Sequence, residues 1–231
     1  MLRLEEVQIR QRDFTLFADL EVPLGSRNAV IGPSGAGKST LLAAISGFLS
    51  PSRGHITWDK ADITHAAPGI RPIAMLFQDN NLFPHLTVQQ NVGLGLRPNL
   101  RLSDPDHARI EAAIERVGLA GMAARRPSEL SGGQQSRAAL ARILVQDKPL
   151  ILLDEPFAAL GPALRQDMLL LVRELTMEAG ASLLMVTHAP EDVARVADAV
   201  IFVESGRAHA PEPAEALMKS PPPALRSYLG G

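Results

Sequence analysis

Short apolar runs recur along this chain of 231 residues and are separated by stretches with helical periodicity. Each run has the length expected of a strand buried within a parallel sheet. The runs are residues 28–31, 73–77, 150–153, 182–186 and 200–203, and the helical stretches between them are about 38–49, 163–178 and 191–197. Strands that alternate with helices predict an α/β fold with a doubly wound, mainly parallel sheet.

The pattern changes between about residues 79 and 146, where helical periodicity predominates. Three helices are predicted there, over residues 87–96, 104–117 and 131–145. We interpret the region 79–146 as a helical subdomain inserted into one core, which comprises about 1–78 and 147–210. Residues 211–231 are rich in proline and are predicted to wrap the surface as a tail. The whole chain, 1–231, is therefore predicted to be a single domain.

Composition and charge narrow the possible functional classes. The formal net charge of −2 gives no basic footprint, which argues against a nucleic-acid-binding protein, and the absence of cysteine excludes disulfides and Cys-ligated metal sites. The longest apolar stretches, such as 168–172 and 181–186, are far shorter than the roughly 18 residues of a membrane helix. Residues 1–7 alternate like a strand and lack the apolar run of a signal peptide. We expect a cytosolic or peripheral protein; if it serves a membrane, another subunit spans it.

A glycine-rich loop follows the first buried run and matches the Walker A spacing, with the sequence Gly32-Pro33-Ser34-Gly35-Ala36-Gly37-Lys38-Ser39 and Thr40 next. Its glycines let backbone N–H groups approach phosphate oxygens, and the following helix directs its positive end toward them. Lys38 is expected to reach the β- and γ-phosphates, and Ser39 to ligate Mg²⁺. A fortuitous glycine-rich turn is the alternative, but the position between a buried strand and a helix argues against it. By itself the loop indicates only a P-loop nucleotide-binding protein.

The apolar run 150–153 ends in two acidic residues, as in a Walker B motif. Asp154 is expected to hold Mg²⁺ directly or through water, and Glu155 to polarise an attacking water as a general base. The alternative is a strand that ends in two solvated acids before Pro156. The Walker A motif in the same chain disfavours that alternative.

A third motif, Leu130-Ser131-Gly132-Gly133-Gln134, precedes the acidic strand. Ser131 is a good helix N-cap, and the two glycines leave N–H groups open at a positive helix terminus, which is an anion site. An ordinary capped helix is the alternative. Two separate phosphate-binding elements in one chain fit a composite site built from two chains. The three motifs in this order resemble the ATP-binding subunits of ABC transporters.

The resemblance covers about residues 2–207 and implies a P-loop NTPase (RecA-like) fold. That fold has a mainly parallel sheet, an N-terminal antiparallel β region and an inserted helical subdomain. It also implies a head-to-tail homodimer holding two ATP molecules, with Mg²⁺, between Walker A of one chain and residues 131–134 of the other. Gln78 resembles the Q-loop glutamine that senses Mg²⁺ and the attacking water. His188 resembles the switch histidine that contacts the γ-phosphate; its place after a core strand favours this role over a structural one.

Two positions depart from the family pattern. Where the family usually reads Ser-Ala-Leu-Asp, residues 158–161 read Ala-Ala-Leu-Gly, so Gly161 replaces the D-loop aspartate. We expect looser coupling across the dimer, with ATP binding intact. The tyrosine that usually stacks on adenine is absent from residues 10–14. Phe14 or Arg12 are candidates for that contact, and weak base selectivity is the alternative.

The segment 77–96 resembles importers, and residues 79–83 and 162–166 resemble the ATP-binding subunit of bacterial thiamine and thiamine pyrophosphate importers. This implies a permease contacted through the region from Gln78 to Leu96 and a periplasmic solute-binding protein that acts indirectly. It also implies a peripheral position at the cytoplasmic face of the bacterial inner membrane. The alternatives are another cargo (polyamine, ferric iron or molybdate) or a soluble ABC ATPase outside transport. A single cassette without a heptad run or basic stretch disfavours the soluble protein, and a P-loop kinase would not need residues 130–134.

Overall fold

The computed structural model describes residues 1–79 and 81–229, in which eleven strands form one sheet. The strands are β1 (Leu2–Gln11), β2 (Phe14–Val22), β3 (Arg27–Ile31), β4 (Arg53–Trp58), β5 (Ala61–Asp62), β6 (Ile73–Leu76), β7 (Leu150–Asp154), β8 (Ser182–Val186), β9 (Ala199–Glu204), β10 (Arg207–Ala208) and β11 (Glu212–Pro213). The helices are α1 (Lys38–Ser46), α2 (Val88–Gly93), α3 (Asp104–Arg116), α4 (Gly132–Leu144), α5 (Pro162–Glu178), α6 (Pro190–Val196), α7 (Ala214–Lys219) and α8 (Pro223–Leu229).

The strand order confirms a mainly parallel sheet with an N-terminal antiparallel region. The strands β9, β3, β8, β7 and β6 are neighbours in that order, and each adjacent pair is parallel. β1 pairs antiparallel with both β2 and β4. Because β3, β8 and β7 are adjacent and parallel, the loops that follow them lie together at one edge of the sheet, which is where ligands bind in such folds.

Helices cover both faces of the parallel strands, which explains their continuous apolar runs. In β7, Leu150 and Leu152 join the apolar cluster that contains Leu41 and Leu42 of α1. Ile151 and Leu153 point to the other face and join the cluster formed with α4 and α5. A strand buried on both faces loses the alternation of apolar and polar residues seen in half-exposed strands.

The predicted helical region between β6 and β7 contains α2, α3 and α4, which pack against one another. Each begins with a reciprocal capping box, formed by Thr87 with Gln90, Ser103 with Asp106, and Ser131 with Gln134. The boundaries of a separate subdomain stay a prediction. In the described part of the chain, no helix is both long and apolar enough to cross a membrane.

The predicted end of α1 needs correction. α1 stops at Ser46 rather than near residue 49, because Gly47 adopts the left-handed conformation (φ 89°) that ends helices. Within the proline-rich tail the structure forms β11, α7 and α8. Leu217 and Leu225 anchor it in an apolar cluster with β3 and β9. Pro223 is favourable as the first residue of α8, a position where proline supports a helix.

Arg71 is 2% exposed and stabilises the end of α1 from inside the protein. Its Nη1 donates to the carbonyl oxygens of Ala44 (2.9 Å) and Ile45 (2.6 Å), the last-turn acceptors of the helix that starts at Lys38. Its Nε and Nη2 donate to Ala66 and Thr64 oxygens, each at 2.9 Å. A cation at this end also complements the helix dipole.

We expect Arg71→Met to lower the free energy of unfolding by about 3 kcal/mol, because several buried carbonyl groups lose their donor. Urea denaturation followed by circular dichroism measures the change. Arg53→Met is the matched control, because Arg53 is 66% exposed in its pair with Glu6 and such pairs contribute at most about 1 kcal/mol. Equal losses in the two variants would contradict a stabilising role for the buried guanidinium.

Candidate nucleotide-binding site

The Walker A loop runs from the end of β3 to the start of α1, as predicted. Two of its glycines are required by packing alone. A Cβ at Gly32 would lie 1.9 Å from the carbonyl oxygen of Val203, and one at Gly37 would lie 2.8 Å from Cζ of Phe14. Gly37 also has φ 110°, which disfavours other residues. The backbone can therefore pass close to its neighbours only with glycine at these positions.

Lys38 is folded against its own loop and is 5% exposed. Its Nζ donates to the carbonyl oxygens of Gly32 and Pro33, each at 2.8 Å. Burial lowers the pKa of Lys38, while the negative charges of Glu155 and Asp154 raise it. These two carboxylates and the loop carbonyls hold a positive charge where phosphate is predicted to bind.

Ser39 and Asp154 meet across the gap between α1 and β7. The Oγ of Ser39 donates to Oδ1 of Asp154 at 3.2 Å. Burial raises the pKa of Asp154, and the hydrogen bond from Ser39 opposes that rise. This spacing fits Mg²⁺, whose neighbouring octahedral ligands lie about 3 Å apart. No group of three His, Cys, Asp or Glu side chains in the described residues forms a metal site.

Glu155 and His188 are in direct contact, although they are far apart in sequence. Oε1 of Glu155 lies 2.5 Å from Nε2 of His188, and the two side chains are 19% and 44% exposed. Glu155 has φ 46°, and its backbone N–H donates to the carbonyl oxygen of Val186 at 3.2 Å. The turn after β7 is thereby attached to β8, and the predicted base faces the predicted switch residue.

A cleft of about 770 Å³ joins these groups, with a volume suited to a small-molecule ligand. Arg12 and Phe14, the two candidates for the adenine contact, both line it. Phe14 is half-buried with its ring against Gly37, whereas Arg12 is exposed at the turn between β1 and β2. The side chain of Arg12 therefore has more freedom than the ring of Phe14 to move over the adenine base. The full lining is Gln11, Arg12, Phe14, Ser34, Gly35, Gly37, Lys38, Ser39, Thr40, Glu155 and His188.

The signature residues and Gln78 do not line this cleft. Ser131 caps α4, as predicted: its Oγ accepts from the N–H of Gln134 at 3.3 Å, and its own N–H donates to Oε1 of Gln134 at 2.9 Å. Ser131 and Gly132 are exposed, while Gly133 packs against Leu164 of α5. Gln78 is exposed in the turn after β6. The predicted second anion site therefore lies outside the lining of the cleft.

Sequence reasoning missed a buried ionic cluster beside His188. Nη2 of Arg165 lies 2.5 Å from Oδ2 of Asp192 and 3.3 Å from Oγ1 of Thr187. Thr187 donates to the same carboxylate oxygen at 2.5 Å, and the Asp192 side chain is 4% exposed. The cluster connects the first turn of α5 to the loop carrying His188. Asp192 lies in the first turn of α6, where the helix dipole already favours an acidic residue. Its position in the sequence therefore did not indicate that it pairs with Arg165.

A phosphate loop, an acidic strand end and a histidine after the neighbouring strand define a P-loop ATPase. The profile of the ABC transporter family matches residues 18–158. The chain belongs to that family, and it is an ATP-hydrolysing subunit, as ABC ATP-binding proteins are. The predicted family, fold and ATPase activity are therefore confirmed.

Curated relatives match over the whole chain. The thiamine import ATP-binding protein ThiQ of Cereibacter sphaeroides is 59% identical over 230 residues, which covers 100% of both chains. ThiQ of Ruegeria sp. is 57% identical with the same coverage. ThiQ of Yersinia pestis is 47% identical over 94% of this chain and 92% of that protein.

Solved structures agree with the fold. The ADP conformation of MJ1267, an ATP-binding cassette of an ABC transporter, has a TM-score of 0.89 and 26% identity over 100% of this chain and 99% of that one. The dimeric structure of MJ0796, a bacterial ABC transporter cassette, has a TM-score of 0.79 and 30% identity over 93% of this chain and 99% of that one.

Proposed function

We propose that this chain powers the import of thiamine or thiamine pyrophosphate across the bacterial inner membrane by hydrolysing ATP. The observation that carries this proposal is the full-length likeness to proteins named for thiamine import. The residues of the cleft account for the proposed ATP hydrolysis, whereas the proposed cargo is inferred from the names of the relatives. No residue of the cleft selects the transported molecule, so the cargo is tested in cells.

In this proposal the cleft binds ATP through the backbone of residues 32–40 and the ammonium of Lys38. Ser39 and Asp154 would hold Mg²⁺, with Gln78 as the predicted further ligand, and the ion would neutralise phosphate charge. Glu155 accepts a proton from the water that attacks the γ-phosphate. His188 contacts the γ-phosphate, and its ring orients the carboxylate of Glu155 through their 2.5 Å contact.

The site is completed by a second copy of the chain. The signature residues Ser131, Gly132, Gly133 and Gln134 are not among the residues that line the cleft of their own chain. An anion-binding helix end exposed on a separate surface suits a head-to-tail homodimer, in which it closes over the partner's ATP. The dimeric form of the MJ0796 cassette supports the same arrangement.

The membrane partner is a permease that contacts the region from Gln78 to Leu96, with which the helical subdomain proposed for residues 79–146 begins. Large apolar side chains are exposed there or beside it: Phe48 (56%), Ile70 (77%), Phe77 (36%) and Phe83 (47%). A neighbouring groove of about 480 Å³ includes Leu94, Gly95 and Leu96 together with basic side chains. An exposed apolar surface beside a groove suits a protein partner. The chain then sits peripherally at the cytoplasmic face, and a periplasmic solute-binding protein acts through the permease.

The test is uptake of labelled thiamine by source cells lacking this chain, with the wild type or Lys38→Ala returned on plasmids. We expect uptake to be lost, restored by the wild type and not restored by Lys38→Ala. Excess unlabelled thiamine pyrophosphate in the same assay tests the second cargo. Uptake of a solute carried by another importer is the control. Unchanged thiamine uptake in the deletion strain would remove the thiamine assignment and leave the ATPase in place.

Gly161 has room for the aspartate that the family usually carries. It is the N-cap of α5 with φ −63°, no side-chain cap, and nothing within 4 Å of an added Cβ. We expect Gly161→Asp to stabilise the fold by a few tenths of a kcal/mol through capping, and to raise both ATPase rate and cooperativity in the dimer. Gly161→Ala is the matched control, because it adds a Cβ without a carboxylate. Wild-type rate and Hill coefficient in Gly161→Asp would contradict the coupling role.

A further inference from the structure

The C-terminal helix α8 packs beside the nucleotide cleft. Leu225 is fully buried in an apolar cluster with Ile31 of β3 and Phe202 of β9, and Tyr228 packs against the same cluster. Ile31 directly precedes Gly32, the first residue of the Walker A loop. The tail therefore holds its one aromatic side chain close to the loop that is proposed to bind phosphate.

The hydroxyl of Tyr228 reaches the loop after β8. It donates to the carbonyl oxygen of His188 at 3.3 Å. The backbone of Gly32 is close enough to oppose the rise in the pKa of the phenol that burial causes. The ladder between β3 and β8 ends nearby, where the N–H of Thr187 donates to the carbonyl oxygen of Val30 at 3.2 Å. That bond comes just after Val30 and Val186, the last paired residues of the two strands, and the phenol contacts the chain at the next residue, His188.

The environment keeps this hydroxyl able to donate. Burial raises the pKa of Tyr228, the backbone of Gly32 lowers it, and the negative charge of Glu155 raises it. The side chain of His188 is 44% exposed. Few neighbours therefore hold the imidazole in place, so its position relative to Glu155 depends on the backbone of His188, whose carbonyl oxygen Tyr228 contacts.

We propose that Tyr228 is a positioning residue for ATP hydrolysis, which fixes the backbone of His188 against the Walker A loop so that the imidazole stays beside Glu155. The inference rests on the roles proposed above for His188 and Glu155. Tyr228 touches neither ATP nor the attacking water in this scheme. It acts on the rate through geometry, since small misplacements of reacting groups slow enzymes substantially.

The first test compares Tyr228→Phe with the wild type in steady-state ATPase assays on the full chain. Phenylalanine keeps the ring packing and removes only the hydroxyl. We expect kcat to fall about threefold to tenfold, as for the loss of one neutral hydrogen bond, with the KM for ATP and the melting temperature nearly unchanged. Ser227→Ala is the matched control, because it removes an exposed hydroxyl from the same helix and should leave kcat unchanged.

Any of three results would overturn the proposal. An unchanged kcat in Tyr228→Phe would show that the hydroxyl does not act in hydrolysis, and parallel changes in kcat, KM and melting temperature would reduce Tyr228 to general packing. A wild-type chain without ATPase activity would overturn the proposed function, and the positioning role with it. An active wild type beside an equally active Tyr228→Phe would overturn the positioning role alone.

A second measurement uses the fact that Tyr228 is the one tyrosine in the sequence. Growth with 3-fluorotyrosine labels this position only, so its fluorine resonance reports on the link between the two loops. We expect ATP to shift the resonance in the Glu155→Gln background, where ATP persists, and to leave it unshifted when Lys38→Ala is added. A resonance insensitive to ATP in the first protein would contradict contact between the tail and the catalytic loops.

Discussion

Glu155→Gln is expected to slow ATP hydrolysis by about 10²-fold to 10⁴-fold while ATP still binds, since a general base contributes roughly that factor. Glutamine keeps the shape of the side chain that faces Nε2 of His188, but it cannot accept a proton from water. The protein should then accumulate as an ATP-bound dimer, because hydrolysis is the step that reopens it. Phosphate release measures the rate, and size-exclusion chromatography with ATP measures the dimer.

Glu174→Gln is the matched control for this experiment. Glu174 is exposed on α5, so the same exchange there should leave rate and oligomeric state unchanged. A Glu155→Gln protein that stays monomeric at every ATP concentration would contradict the composite site. A rate near that of the wild type would remove Glu155 as the base.

Lys38→Ala is expected to abolish tight ATP binding. The Nζ of Lys38 already makes two 2.8 Å hydrogen bonds to loop carbonyls, which places its charge inside the Walker A loop. A hydrogen bond from a charged donor contributes about 1.5–3 kcal/mol, so losing two to phosphate oxygens should raise the Kd by at least about 100-fold. Isothermal titration calorimetry with ATP measures the Kd.

Lys219→Ala provides the comparison, because Lys219 is 75% exposed on α7 and does not line the cleft. Its Kd for ATP should match that of the wild type. Circular dichroism melting of both variants separates lost binding from lost folding. A well-folded Lys38→Ala protein with a wild-type Kd would exclude the ammonium from phosphate binding.

Local chemistry made much of this protein predictable from its sequence. The five continuous apolar runs became strands of the parallel sheet, because burial on both faces leaves no room for polar positions. The Walker A loop also fell where its spacing predicted, since glycine requirements and helix capping act over a few residues. The reciprocal cap of Ser131 and Gln134 is of the same kind. Helix ends were less accurate, as at Gly47, because a single left-handed residue decides where a helix stops.

Tertiary structure decided which distant side chains meet. The contact between Glu155 and His188 exists because β7 and β8 are neighbouring strands. The sequence of either strand alone does not predict which strand lies next to it. The Arg165–Asp192 pair depends in the same way on how α5 and α6 pack. A residue's chemical type and local spacing are properties of its own segment, whereas its partners depend on the packing of the whole chain. The sequence therefore determined the fold class and the residues of the ATPase motifs, and the tertiary structure alone brought Tyr228 to the catalytic loops.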